Sequence, residues 1–261
     1  GRMGTRVVVL GFCMAFTVCC AADVVTQPLR RYGLGDLAKV AVSPDRQWFA
    51  TSGAAGAFIW NFESGTVVHR LQAHHAQVAA LAFSPNSRVL LTGGRDRVIR
   101  AWDVESGAEL RSFEGHPAEV TDVAFAPDGQ SFVSAGGLAN VWSLATGELL
   151  QSLDVPTSFI SRALFTPDGA RVVTADSSAT SNVRVWDLAT GQTIRSFGSN
   201  VTSLGFVAGG HLVTAGQDLA VKVWDIETGQ VIRPLLGVTQ PPIDLVASPN
   251  SSTAIVGCFD G

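Results

Sequence analysis

Residues His74–Phe113, HHAQVAALAFSPNSRVLLTGGRDRVIRAWDVESGAELRSF, decide the fold. Val78–Phe83 has the composition of a strand, and Ser84-Pro85-Asn86-Ser87 follows as a tight turn, with proline fixing φ at its second position. Val89–Thr92 reads as a second strand, Gly93–Asp96 as a turn, and Val98–Val104 as a third strand ending in Trp102-Asp103-Val104. Ser106-Gly107 supplies a hairpin loop whose glycine can take positive φ, and Glu109–Phe113 is the fourth strand. The stretch is one antiparallel unit.

That unit recurs along the chain. Trp60, Trp102, Trp142, Trp186 and Trp224 stand 42, 40, 44 and 38 residues apart. Proline-centred turns keep the same step at Ser43-Pro44-Asp45, Ser84-Pro85-Asn86, Ala126-Pro127-Asp128, Thr166-Pro167-Asp168 and Ser248-Pro249-Asn250. A hydroxyl-glycine pair follows each tryptophan, at Gly65, Gly107, Gly147, Gly191 and Gly229. Three signals sharing one period mark a repeat architecture. No window beyond the first 22 residues carries a helical period, so the rest reads as all-β. With 46% apolar and 15% charged residues among 261, the chain is neither disordered nor short of core. A net charge of −4, with lysine only at Lys39 and Lys222, argues against nucleic acid as the partner.

Residues 1–22 differ from everything after them. Met3 and Arg6 precede an apolar run from Val7 to Cys20, and Ala21-Ala22 offers small residues before Asp23. This order predicts a secretory signal peptide over 1–22, with export to the periplasm or the medium and a mature domain over 23–261. The run is shorter than the ~20 residues a membrane span needs, so no membrane association beyond export is expected. Cleavage there leaves Cys258 as the single cysteine, and the mature domain must hold itself together by packing.

The Trp-Asp pairs at 102–103, 186–187 and 224–225, with Gly115-His116 ahead of the third unit, resemble the WD40 repeat. The resemblance implies a β-propeller whose blades are four-stranded sheets. It also implies a structural hydrogen-bond network of His, Ser or Thr, Asp and Trp, complete here only in the second unit as His74, Thr92, Asp96 and Trp102. The third unit has His116, Ser134 and Trp142 without the Asp; the fifth has Thr214, Asp218 and Trp224 without the His. The first and third units depart from the pattern as Trp60-Asn61 and Trp142-Ser143. Gln27–Gly33 matches the fourth-strand segment Gln192–Gly198, which in this family implies a strand that closes the ring. Five complete blades are expected, then strands at Ile243–Ala247 and Ser252–Cys258 of a sixth, with the sequence truncated at its C-terminus.

Catalytic chemistry is not legible. There is no Gly-x-Ser-x-Gly elbow and no phosphate-cradling glycine motif, and His74-His75 on a strand would point to opposite faces rather than to one metal. No catalytic residue, metal site or cofactor is therefore expected. His69 aligns with Arg111 and Arg195 and reads as a solvated outer-strand residue; Arg95, Arg97 and Arg100 read as one basic face. Asp36, Asp122 and Asp244 fall near the starts of inner strands, where they can approach a central channel. The resemblance implies a non-catalytic scaffold that binds a protein or peptide partner on one ring face, with His75, Gln77, Arg95, Glu119, Phe159 and Gln217 as the candidate surface. Two alternatives stand beside it: a propeller enzyme or small-ligand receptor using the channel, and the propeller portion of a larger exported enzyme.

Overall fold

The computed structural model describes residues 6–11, 37–156, 158–178, 182–235, 240, 242–247 and 253–258. Every regular element in it is a strand. The first blade is β2 (Leu37–Val42), β3 (Trp48–Gly53), β4 (Gly56–Asn61) and β5 (Val67–Leu71). The second is β6 (Val78–Phe83), β7 (Val89–Gly94), β8 (Ile99–Asp103) and β9 (Glu109–Phe113); the third is β10 (Asp122–Phe125), β11 (Ser131–Gly136), β12 (Leu138–Ser143) and β13 (Leu149–Leu153). The fourth is β14 (Ile160–Phe165), β15 (Arg171–Asp176), β16 (Val183–Asp187) and β17 (Thr193–Phe197); the fifth is β18 (Val201–Val207), β19 (His211–Gly216), β20 (Val221–Asp225) and β21 (Gln230–Leu235). Each of these five is an antiparallel meander in chain order, as the repeat period predicts.

The sixth sheet holds β22 (Pro242–Ala247) and β23 (Thr253–Cys258), antiparallel to one another. Its third member is β1 (Arg6–Gly11), which pairs parallel to β23, Arg6 opposite Thr253 and Gly11 opposite Cys258. The closing strand expected at Gln27–Gly33 lies outside the described residues, as does Asp36.

Strand alternation explains the packing. Successive residues face opposite sides of a blade, and both sides are covered by neighbouring blades, so the second strands read as apolar runs rather than alternating ones. In β7, Leu90 packs with Ala50 and Ile59 of the first blade, while the next residue, Leu91, packs with Val123 and Phe132 of the third. Further clusters join the third blade to the fourth, the fourth to the fifth, and the fifth to the sixth. Each fully buried Leu or Val in these seams contributes about 1.5–3 kcal/mol.

Polar straps reinforce the seams near the rim. His69 Nε2 lies 2.8 Å from Glu105 O of the second blade, Arg111 Nη2 donates to Ala145 O of the third (3.0 Å), and Arg195 Nη1 donates to Thr228 O of the fifth (3.2 Å). Gln151, with its amide oriented to satisfy its neighbours, donates to Leu188 O of the fourth at 3.1 Å. His69 is thus committed to the next blade, which corrects the expectation of a merely solvated residue: a side chain leaving the outer strand at this register reaches the following blade's last turn.

Candidate functional site

Two places gather polar side chains: the ring axis and the face that carries the second-to-third-strand turns. At the axis, the ladder between first and second strands slips by one residue before Lys39, Ala80, Arg162, Ser203 and Asp244. Such a bulge re-aims the residue that follows it. Lys39 of the first blade pairs with Asp244 of the sixth through Nζ and Oδ2, which brings the first and last inner strands together at the axis. Ser203 Oγ donates to Asp244 Oδ1 at 3.0 Å, and Arg162 Nη2 lies 3.8 Å from the same oxygen. Asp122 accepts from the Ala163 N–H at 3.2 Å, and burial pushes its carboxyl up despite Arg162 and Lys39. Burial also acts to raise Asp244, but Lys39 and Arg162 outweigh it and hold that carboxyl below the usual range. Asp244 is bound into an ion-paired cluster that ties blades together, and Asp122 is tied to the fourth blade by the Ala163 N–H.

The second blade's turn is held by a chain of hydrogen bonds. The Trp102 indole N–H donates to Thr92 Oγ1 at 2.9 Å, and Thr92 Oγ1 lies 2.7 Å from His74 Nε2. His74 Nδ1 lies 3.0 Å from both Asp96 oxygens, and Asp96 also accepts the His75 N–H at 3.1 Å. Burial lowers the His74 pKa, against the pull of Asp96. The neutral imidazole then donates from Nδ1 and accepts the threonine proton at Nε2, and every member of the chain is satisfied.

The third blade reaches the same end without the acid. The Trp142 indole N–H donates to Ser134 Oγ at 2.8 Å, Ser134 Oγ lies 2.6 Å from His116 Nε2, and His116 Nδ1 lies 3.3 Å from Gly136 O. A backbone carbonyl stands in for the absent aspartate, so this network is more complete than its side chains suggest.

The fourth blade replaces the network by a different carboxylate. Its second strand ends in Asp176, where β7, β11 and β19 end in Gly94, Gly136 and Gly216. A Cβ on Gly94 would fall 2.2 Å from Asp96 Oδ1 and 2.4 Å from His74 Nδ1, so glycine there makes room for the turn residues. Asp176 instead fills that space with its own side chain, accepting from Ser158 Oγ (2.8 Å), the Ser178 N–H (2.7 Å) and Arg184 Nε (2.8 Å). In the fifth blade Trp224 bonds Thr214 at 2.8 Å, and Asp218 pairs with Lys222 at 2.9 Å.

These turns hold the candidate surface in place. The Arg95 N–H donates to Gln77 O at 2.9 Å, and Arg95 Nε lies 3.4 Å from Glu119 Oε2 of the third blade, so His75, Gln77, Arg95 and Glu119 are gathered at one junction. Phe159 lies over the next junction, exchanging backbone and hydroxyl hydrogen bonds with Ser177, 3.0 Å each way. Gln217 stands farther round the ring, its N–H donating to Asn200 O at 2.9 Å. Arg100 leaves the supposed basic face: it is on β8 and pairs with Glu109 of β9 at 2.8 Å. Among the described residues no group of three or more His, Cys, Asp or Glu could hold a metal ion.

Comparison with known proteins bears on the same repeats. The family described as WD domain, G-beta repeat matches four times, over residues 65–103, 107–143, 147–187 and 191–225. The chain belongs to the WD40-repeat family. Its matched repeats run from the third–fourth-strand hairpin of one blade to the third strand of the next, so each spans a seam. A curated relative, the mouse (Mus musculus) protein called Periodic tryptophan protein 2 homolog, is 32% identical over 66 residues, covering 24% of this chain and 7% of that protein. WD40 repeats generally build protein-interaction scaffolds, and this chain has that architecture.

Proposed function

We propose that the chain is a non-catalytic scaffold, exported through residues 1–22, that binds a protein or peptide partner on the face carrying His75, Gln77, Arg95, Glu119, Phe159 and Gln217. The observation that carries the reading is how that face is built. Residues of several blades have their backbones fixed by hydrogen bonds to neighbouring turns, and Arg95 and Glu119 pair side chain to side chain across a junction. A rigid, pre-positioned set of polar and aromatic groups loses little freedom on binding, and an aromatic among them is a common anchor of such interfaces. Export rests on the order Arg6, apolar run, Ala21-Ala22. A second reading, a small-ligand site in the channel, draws on the opposite displacements of Asp122 and Asp244. It ranks below the first because Asp244 is committed to Lys39, Arg162 and Ser203.

The test compares partner recovery on immobilised wild-type protein, on Arg95→Glu with Phe159→Ala, and on Glu63→Arg, which alters a third–fourth-strand turn on the other face. The reading expects at least one partner that the first variant loses and the second keeps. Equal loss by both variants, or by neither, would count against it.

A further inference from the structure

The repeat lengths single out one junction on this face. Between the paired residues that flank the second-to-third-strand turn, five residues intervene in the second blade (Gly93 to Ile99) and five in the fifth (Ala215 to Val221). At the equivalent pair only three intervene in the third blade (Ala135 to Ala139, with Gly136 and Leu138 also paired), and seven in the fourth (Ala175 to Val183). The uneven tryptophan steps of 40 and 44 thus have a structural meaning: the shortest of these turns sits in the blade next to the longest.

In the short turn is Gly137, with φ +85°. A Cβ built on it would stand 3.5 Å from Ala118 Cβ, 3.5 Å from Pro117 Cγ and 3.9 Å from Phe159 Cε2, ordinary contact distances. The space above Gly137 is therefore walled by apolar atoms. Phe159 is 37% exposed although it is hydrogen-bonded to Ser177 of the long loop. An aromatic side chain left open to solvent on a backbone that is itself hydrogen-bonded on both sides is a common anchor of interfaces.

The neighbouring second-blade turn meets the loop of Pro117 and Ala118 through the Arg95–Glu119 pair. Arg95 and Arg97 both project from that blade's turn, exposed; Arg95 is paired with Glu119, and Arg97 has no ion pair among the described residues. The nearby acids are engaged, Asp96 by His74 and the His75 N–H, Asp176 by Arg184 and Ser158. A chain of net charge −4 thus leaves an arginine of the neighbouring turn exposed and without an ion pair among the described residues.

We propose that this notch, floored by Gly137, walled by Pro117, Ala118 and Phe159 and edged by Arg97 and Arg95, docks a partner segment that presents one apolar side chain beside a carboxylate. The apolar group fills the space over Gly137 and stacks on Phe159; the carboxylate meets Arg97. The inference rests on the scaffold reading and specifies its partner.

A random peptide library displayed on phage and panned against the whole chain tests it, with selected peptides synthesised and their affinities measured. Enriched peptides should share an apolar residue within two positions of Asp or Glu. They should bind at least tenfold more weakly to Phe159→Ser and to Arg97→Glu, and equally to Glu63→Arg. Exchanging the peptide's acid for lysine should restore binding to Arg97→Glu, a rescue that a misfolded variant cannot give. Selected peptides that bind Phe159→Ser and Arg97→Glu at wild-type strength would overturn the notch and leave the scaffold reading standing. Absence of any enrichment, with partner recovery still lost on Arg95→Glu with Phe159→Ala, would likewise overturn the notch alone.

Discussion

Thr92→Val isolates what the second blade's network contributes. Thr92 is fully buried, and its hydroxyl both accepts from the Trp102 indole and faces His74 Nε2. Valine nearly matches threonine in shape, so packing is kept while two buried polar groups lose their partner. Each unsatisfied buried group costs about 1–3 kcal/mol, which puts the loss at roughly 2–6 kcal/mol, about twice that of a single orphaned group. Thr174→Val in the fourth blade is the comparison, because Thr174 there accepts only the Trp186 indole among the bonds found, at 2.9 Å. One orphaned group predicts about 1–3 kcal/mol, roughly half the loss at Thr92. Denaturant midpoints give the ranking, and hydrogen exchange shows whether the damage is confined to the mutated blade, since neighbouring repeats need not unfold together. If Thr174→Val proved as damaging as Thr92→Val, the histidine link would carry no weight and the reasoning would fail.

Three further outcomes follow from the same contacts. Burial lowers the pKa of His74 and His116 below 6.5, so the unfolded chain takes up protons first: stability should hold above about pH 6.5 and fall as pH drops through the folded values. Denaturant midpoints between pH 7.5 and about 5 check this, and a rise on acidification would contradict it. Asp176→Ala strips Arg184 of its partner in a mostly buried site and should cost about 2–3 kcal/mol, with faster exchange in β15 and β16; unchanged exchange there would argue against the replacement role. Mass spectrometry of the N-terminus after expression in a secreting host should find Ala22 or Asp23 first, whereas secreted protein retaining Arg6–Gly11 would refute cleavage and leave β1 available to β23.

The repeat was legible because three residue types recur at one period, and a blade cannot be built without its turns and its apolar second strand. The second blade's network was legible because all four members are side chains. The third blade's was not, because its last acceptor is Gly136 O, and a carbonyl leaves no mark in the sequence. Asp176 was missed for the opposite reason: it acts from a position where other blades carry glycine, so aligning turn acids passes it by. The axis cluster was half seen. Asp122 and Asp244 stood out as acids, but Lys39, Ala80, Asp122, Arg162, Ser203 and Asp244 share one position in six repeats, and only the lysine, arginine and serine explain how Asp244 is held. Step lengths of 40 and 44 were visible as numbers, yet only strand register shows that they fall in adjacent turns on one face.

Everything said about a face depends on the blades forming a closed ring, and the two lysines offer a direct reading of that. A zero-length carbodiimide reagent joins an amine to a carboxylate only when they are in contact. Lys222 with Asp218, at 2.9 Å within one blade, is the internal control. The ring predicts a second product, Lys39 joined to Asp244 across 205 positions of sequence, identified by mass spectrometry of the digested monomer. The control product without the Lys39–Asp244 product would show that the first and sixth blades do not meet.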